Sequence, residues 1–225
     1  MKAFELLGET SLPDGTAMKL TRRGEEYLIL AGGVPLMSSR MHSSEEALAT
    51  LGCQRARTTE RPSVLIGGLG MGFTLRAALD VLPKRATVVV TELVPTVVEW
   101  NRGPLGPLAG HPLSDERVRV EIGDVANTLN LARAQFDAII LDVDNGAADF
   151  TTPRNATLYD SQGLAATHRA LKPGGNFAVW AVKHDPTFEQ RLRAAKFEPR
   201  IHYVRGHTKK RGPRHIIYLS HKPPR

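Results

Sequence analysis

The chain of 225 residues has almost no cysteine and no long apolar run, and each absence excludes a class of protein. Its only cysteine, Cys53, cannot form an internal disulfide, which argues against a disulfide-stabilised scaffold. No stretch reaches the roughly 18 apolar residues that a membrane-spanning helix needs. The first residues, MKAFELLGETSLPDG, have early acids at Glu5 and Glu9 and no continuous apolar core, unlike a secretory signal. We therefore expect a cytoplasmic protein without membrane association.

The sequence also lacks metal-binding spacing, internal repeats and low-complexity segments. Its eight histidines are scattered, without the paired Cys or His spacing that zinc sites use, so we expect no metal. Hydrophobic residues make up 41% of the chain and charged residues 24%, which are ordinary values for a folded globular protein.

Acidic residues are too few to balance the basic ones, and the net charge is +7. A basic surface serves solubility, which is the interpretation we favour, but it also suits an anionic partner such as RNA. The most basic segment is Arg205–His215, between the last two predicted strands. It has no aromatic residue to stack on bases, so we favour a solvated hairpin tip over a nucleic-acid-binding loop.

Residues 1–61 are predicted to form a small β-rich segment. Short apolar pieces separated by Gly-containing turns are typical of strands joined by tight turns. A helix is expected over Ser43–Leu51, because Glu45 and Glu46 would lie near the positive end of its dipole. The predicted strands are Ala17–Leu20, Glu26–Leu30 and Val34–Met37.

Residues 62–225 follow a different pattern, in which continuous apolar runs alternate with stretches of helical spacing. This alternation indicates a parallel sheet with helices on both faces. It ends in Pro199–Val204 and His215–Leu219, whose connection is too short for a parallel crossover, so these strands should pair antiparallel. The predicted fold is α/β and Rossmann-like, of the class I methyltransferase type: a mostly parallel seven-stranded sheet with a terminal antiparallel hairpin. The earlier strands are expected at Val64–Ile66, Thr87–Val90, Arg117–Ile122, Phe136–Val143 and Asn176–Val182, and the helices at Thr74–Leu82, Val94–Trp100, Val125–Ala132, Leu158–Leu171 and Thr187–Ala195.

A glycine-rich loop, GGLGMG, directly follows the first buried strand. Glycine has no Cβ, so such a loop can turn tightly and let its backbone approach a ligand. Phe73 stands where the last glycine of the nicotinamide fingerprint would be, so that fingerprint is not met. The alternatives are a loop that serves packing alone and a nucleoside site that uses Gly67, Gly68, Gly70 and Gly72.

Acidic residues follow the next three strands, at the edge of the sheet where open α/β folds bind ligands. Glu92 can accept hydrogen bonds from both ribose hydroxyls, and Asp124 can accept one from an adenine amino group. The alternative for both is a helix cap. Asp142 and Asp144 suit recognition or deprotonation of an amine, because a protonated amine must lose a proton before it attacks carbon. For these two, the alternative is a simple turn leaving the sheet.

Together these features resemble the spermidine synthase family, over most of the chain. The similar segments are Val64–Arg76, Glu92, Gly123-Asp124, Phe136–Asp142 and Leu171–Gly175. The resemblance implies Asp142 as the catalytic base, with Asp144 helping to hold a small amine. It also implies decarboxylated S-adenosylmethionine as the donor, bound by the glycine loop, Glu92 and Asp124, and no metal.

The same resemblance suggests weaker candidates for the substrate site. His42 falls roughly where the family has a Tyr-His pair, although Met41 replaces the tyrosine. Asn145 replaces a second aspartate of the family's substrate loop. The apolar loop Gly103–Ser114 is similar to edges that form dimer contacts in the family, so a homodimer is a further expectation.

The glycine loop leaves the reaction open. The family's loop carries an aspartate that helps to bind the aminopropyl arm, whereas residues 67–72 contain no acid. The favoured function is aminopropyl transfer from decarboxylated S-adenosylmethionine to an amine. The alternatives are methyl transfer from intact S-adenosylmethionine to a small molecule or RNA, and a non-catalytic nucleoside-binding protein.

Overall fold

The structure is a computed structural model that describes residues 3–143, 156–206 and 214–224. The described part contains two sheets and seven α-helices. The strands are β1 (Glu5–Ser11), β2 (Ala17–Arg23), β3 (Glu26–Ala31), β4 (Val34–Ser38), β5 (Ser63–Gly67), β6 (Thr87–Glu92), β7 (Val118–Ile122), β8 (Phe136–Leu141), β9 (Leu171–Ala181), β10 (Glu198–Arg205) and β11 (Arg214–His221). The helices are α1 (Ser43–Gly52), α2 (Phe73–Val81), α3 (Pro95–Arg102), α4 (Val125–Leu131), α5 (Ala156–Tyr159), α6 (Ser161–Ala170) and α7 (Pro186–Ala194).

The larger sheet has seven strands in the order β10-β11-β9-β8-β5-β6-β7. Strands β5 to β9 are parallel, and β11 and β10 pair antiparallel at one edge. The predicted fold is therefore confirmed. Strands β6 and β7 lie on one side of β5, and β8 and β9 lie on the other, so the strand order reverses between β5 and β8. The carboxyl ends of strands flanking such a switch point form a crevice in which open α/β folds bind ligands.

The central strands are buried on both faces, as their continuous apolar runs predict. In β5, Val64 and Ile66 join one hydrophobic cluster, while Leu65 between them joins the cluster on the opposite face. In β8, Ile140 and Ile139 divide between the same two clusters. A strand without a solvated face cannot show polar alternation, which is why these segments read as unbroken apolar runs.

The N-terminal sheet is antiparallel, in the order β1-β2-β3-β4. Its buried side chains Met18, Leu20 and Ile29 belong to a hydrophobic cluster that also includes residues of α2 and α3. Strand β1 was not predicted, because Gly8 interrupts its apolar pattern, and a bulge lies between Leu6 and Gly8. The domain boundary at residues 61 and 62 stays a prediction.

Two predictions for residues 158–176 are wrong, one for a helix and one for the strand after it. The single helix expected over Leu158–Leu171 is two helices, because the Asp160 side chain accepts hydrogen bonds from the backbone N–H groups of residues 162 and 163 and starts a new helix. Strand β9 begins at Leu171 instead of Asn176. Its pairing with β8 shifts register there, so the Pro-Gly-Gly segment is an irregular part of the strand.

Candidate functional site

A cavity of about 290 Å³ lies at the carboxyl ends of the central strands, at the switch point of the large sheet. The glycine loop and the residues after β6, β7 and β8 form one side of it, and the N-terminal sheet forms the other. Its volume lies near the lower end of the range for small-molecule sites. The lining residues are Leu12, Pro13, Asp14, Met18, Ile29, Ala31, Leu36, Met37, Gly68, Gly70, Thr91, Glu92, Leu93, Val94, Val97, Gly123, Asp124, Val125, Asp142, Val143 and Leu158.

The glycine loop is held against its neighbours too closely for larger residues. Gly68 has φ +89°, and a Cβ there would collide with the backbone carbonyl of Asp142. Gly72, at the start of α2, has φ +85°, and its Cβ would lie 2.9 Å from Oδ1 of Asn101. The Asn101 side chain also donates a 2.8 Å hydrogen bond to the Gly70 carbonyl. The loop therefore adopts a defined shape that leaves its backbone at the cavity surface.

Glu92 is buried at the end of β6, with 8% of its surface exposed. Oε2 accepts a 2.9 Å hydrogen bond from the Leu69 N–H, and Oε1 accepts one of 2.9 Å from the Val94 N–H. Burial raises the pKa of Glu92, and these backbone N–H groups oppose the rise. Since a carboxylate has about four lone-pair positions, Glu92 can hold the glycine loop and still accept hydrogen bonds from a ligand.

Asp124 lines the same cavity from the start of α4. One of its carboxylate oxygens accepts a 2.8 Å hydrogen bond from the Ala126 N–H, so the predicted helix cap is present. The cap and a ligand contact are compatible, because the capping bond uses a single oxygen.

Asp142 follows β8 and borders both the large cavity and a second one of about 30 Å³. The Thr74 hydroxyl, in the first turn of α2, donates a hydrogen bond to its carboxylate. Burial raises the pKa of Asp142 to about 6, against the opposing effect of that hydrogen bond. The structure thus places Glu92, Asp124 and Asp142 around one cavity, as the strand-end pattern predicts.

Glu45, in the first turn of α1, lines the small cavity beside Asp142. The Ser44 hydroxyl donates a 2.7 Å hydrogen bond to its carboxylate. Burial and then the charge of Asp142 raise the pKa of Glu45 to about 7. Sequence reasoning missed this residue because an acid in the first turn of a helix is explained by the helix dipole alone.

The weaker candidates are placed differently. His42 stacks on Phe73 with ring centroids 4.2 Å apart, and its Nδ1 lies 2.8 Å from Oε1 of Glu46. It is not among the described residues that line either cavity. Asp144 and Asn145 lie outside the described residues. Residues 207–213, the middle of the basic segment Arg205–His215, also lie outside them.

The described linings of both cavities carry negative charge. Among their described lining residues there is no Lys, Arg or His, whereas Asp14, Glu92, Asp124, Asp142 and Glu45 are acidic. Over residues 3–143, 156–206 and 214–224, no group of three or more His, Cys, Asp or Glu side chains could hold a metal ion. Within the same ranges, no helix combines the length and apolarity needed to cross a membrane.

The strand order, the glycine loop and the acids at the strand ends define an α/β protein of the class I methyltransferase fold type. Within that class, the family model described as "Spermine/spermidine synthase domain" matches residues 41–195, more than half of the chain. The chain belongs to this family, which confirms the predicted family. No curated protein sequence matches it significantly.

Solved structures with the spermidine synthase name share the fold. Spermidine synthase from Thermotoga maritima matches with a TM-score of 0.74 and 18% identity, over 98% of this chain and 73% of that one. A spermidine synthase in complex with the transition state analogue AdoDATO gives the same values. A probable spermidine synthase from Corynebacterium glutamicum ATCC 13032 matches with a TM-score of 0.64 and 20% identity, over 99% of this chain and 81% of that one.

Proposed function

We propose that the protein transfers the aminopropyl group of decarboxylated S-adenosylmethionine to a small amine. The observation that carries this proposal is the charge of the cavity, which has acidic side chains and no cationic ones among its described lining residues. The decarboxylated donor has a sulfonium and an ammonium group, so it carries only positive charge. Intact S-adenosylmethionine also carries a carboxylate, for which this lining offers repulsion and no cationic partner. The charge of the site therefore favours the decarboxylated donor.

The nucleoside end of the donor fits the residues at the ends of β6 and β7. Glu92 accepts hydrogen bonds from the ribose hydroxyls, because two backbone N–H groups fix its carboxylate at the cavity. Asp124 accepts a hydrogen bond from the adenine amino group. Apolar side chains of the lining, such as Leu93 and Val125, cover the faces of the base.

Asp142 is the general base of the proposed reaction. The Asp142 carboxylate first takes a proton from the protonated amine, which frees a lone pair on its nitrogen. That nitrogen attacks the aminopropyl carbon bonded to sulfur, and a C–N bond forms while the C–S bond breaks. The electron pair of the C–S bond returns to sulfur, which leaves as the neutral thioether methylthioadenosine. With a pKa of about 6, Asp142 is mostly ionised at neutral pH yet basic enough to accept a proton.

Membership in the spermine/spermidine synthase family supports this function, as does the likeness to a spermidine synthase that holds a transition state analogue. Family membership also supports a small amine as acceptor. The homodimer and the cytoplasmic location remain predictions.

The test incubates the purified protein with decarboxylated S-adenosylmethionine and a panel of linear diamines. Mass spectrometry should detect methylthioadenosine together with an aminopropylated amine. The variant Asp142→Asn should lose about 100-fold or more in turnover while it keeps its affinity for the donor, because only the base is removed. Methylated amine from intact S-adenosylmethionine, with no product from the decarboxylated donor, would replace this function by methyl transfer.

A further inference from the structure

We propose that Glu45 holds the primary ammonium group of a substrate's aminoalkyl chain in the small cavity, next to the proposed base Asp142. This inference rests on the proposed function and adds a specificity-determining residue to it. The ammonium group comes from one of two sources, the aminopropyl arm of the donor or the far end of the acceptor amine. Both sources present the same chemistry, a cation on a short methylene chain.

The small cavity adjoins the donor cavity. The two share Met37, Gly70 and Asp142 among their lining residues, so a chain that leaves the nucleoside end passes the glycine loop to reach Glu45. Its volume is about 30 Å³. Since roughly 10–15 Å³ suffices for a water molecule, it holds an ammonium group with a part of its chain.

The walls of the small cavity match such a chain. Apolar side chains, among them Leu69, Met71 and Phe73, line it beside the two carboxylates. Methylene groups pack against apolar walls, whereas an ammonium group needs acceptors at the end of the path. Glu45 supplies such an acceptor, while Asp142 stays available to the nitrogen that attacks.

The described lining of the small cavity contains two acids and no basic side chain. Hydroxyl groups satisfy one hydrogen bond at each carboxylate, from Ser44 and Thr74, but they bring no positive charge. Without a ligand, a proton on Glu45 relieves part of this charge, since burial and the charge of Asp142 raise its pKa to about 7. An ammonium group of the ligand can take the place of that proton and pair with the ionised carboxylate.

Glu45 is fixed in place by the packing of α1. At the far end of the helix, a Cβ on Gly52 would lie only 2.8 Å from the Ile140 side chain, so α1 sits directly on β8. At the near end, the Ser43 N–H donates a 3.3 Å hydrogen bond to the Gly206 carbonyl. A carboxylate on so closely packed a helix loses little further freedom when it binds a cation.

The variant Glu45→Gln tests the inference, because it removes the charge and keeps the size and the hydrogen-bond acceptor for Ser44. Glu46→Gln is its matched control, because Glu46 is the neighbouring acid and its side chain is 46% exposed. Glu46 is not among the described residues that line the two cavities. Calorimetry measures the Kd of decarboxylated S-adenosylmethionine and of methylthioadenosine, which lacks the aminopropyl chain. Steady-state kinetics gives the KM of the diamine.

If the donor's arm occupies the small cavity, Glu45→Gln binds decarboxylated S-adenosylmethionine about 10- to 100-fold more weakly and methylthioadenosine with unchanged affinity. If the acceptor occupies it, the donor affinity is unchanged and the KM of the diamine rises by a similar factor. Glu46→Gln changes none of these values. Equal weakening of both nucleosides, or no change in any of the three constants, would overturn the inference.

A second measurement uses the unmodified protein, so it does not depend on the folding of a variant. With methylthioadenosine saturating the large cavity, propylammonium should bind and propanol, of similar size but neutral, should not. Equal binding of the two, or of neither, contradicts the role of Glu45. Failure of the proposed function looks different, because the unmodified protein would then form no aminopropylated product at all.

Discussion

The hydroxyl of Thr74 donates a hydrogen bond to the carboxylate of Asp142, and this contact joins the first turn of α2 to the segment after β8. The glycine loop and the acid proposed as the base are therefore one unit. A second contact in the same unit is the approach of the Asp142 carbonyl to Gly68. A substitution in this unit should therefore change the pKa of Asp142, and the pH dependence of the reaction should shift with it.

Replacing Thr74 with valine should shift the pH profile of the reaction to higher pH. The hydrogen bond from Thr74 lowers the pKa of Asp142, so its loss lets that pKa rise further above about 6. A general base works in its ionised form, and kcat/KM falls as pH falls through its pKa. The acid limb of kcat/KM, measured between about pH 5 and 9, should move upward in Thr74→Val. An acid limb at the same pH in both proteins would contradict Asp142 as the group that titrates.

Glu45→Gln should stabilise the ligand-free protein at pH 8 and not at pH 5. The pKa of Glu45 rises from 4.5 to about 7 on folding, so the folded state binds more protons than the unfolded state between these values. That contribution to stability is fully present below about pH 4.5 and is lost as pH rises through 7. Gln does not ionise, so the variant avoids this loss. Urea unfolding at the two pH values measures the difference, and an equal gain at both would contradict the burial of a charged Glu45.

Gly68→Ala should destabilise the protein and abolish donor binding, because Gly68 combines φ +89° with the contact to the Asp142 carbonyl. Gly110→Ala is the matched control, since Gly110 has φ +64° but no neighbouring atom within 4 Å of a Cβ. The control should cost about 1–2 kcal/mol of unfolding free energy from backbone strain alone, with donor affinity unchanged. Equal costs in the two variants would show that the loop has room to adjust.

The strand order and most of the cavity acids could be predicted from the sequence because both depend on local signals. Val88–Val90 is apolar throughout, which indicates a doubly buried strand, and a strand of that kind carries Glu92 to the ligand-binding edge. Asp142 follows by the same reasoning after β8. Asp124 follows β7, an edge strand in which Val118 and Val120 alternate with exposed charged residues.

The rest depends on contacts between distant parts of the chain, which leave no local signal. Glu45 is 97 residues from Asp142, and only the packing of α1 on β8 brings it to the same cavity. The turn that contributes Asp14 lies in the N-terminal sheet, and nothing in its sequence shows that it covers a site at the end of another sheet.

The central claim is that the site takes a donor with positive charge only. The most direct measurement is calorimetric titration of the unmodified protein with decarboxylated and with intact S-adenosylmethionine, at one salt concentration, because salt screens the charges that distinguish them. The acidic cavity predicts that the decarboxylated donor binds more tightly. Tighter binding of the intact donor, or binding of neither, would contradict the claim.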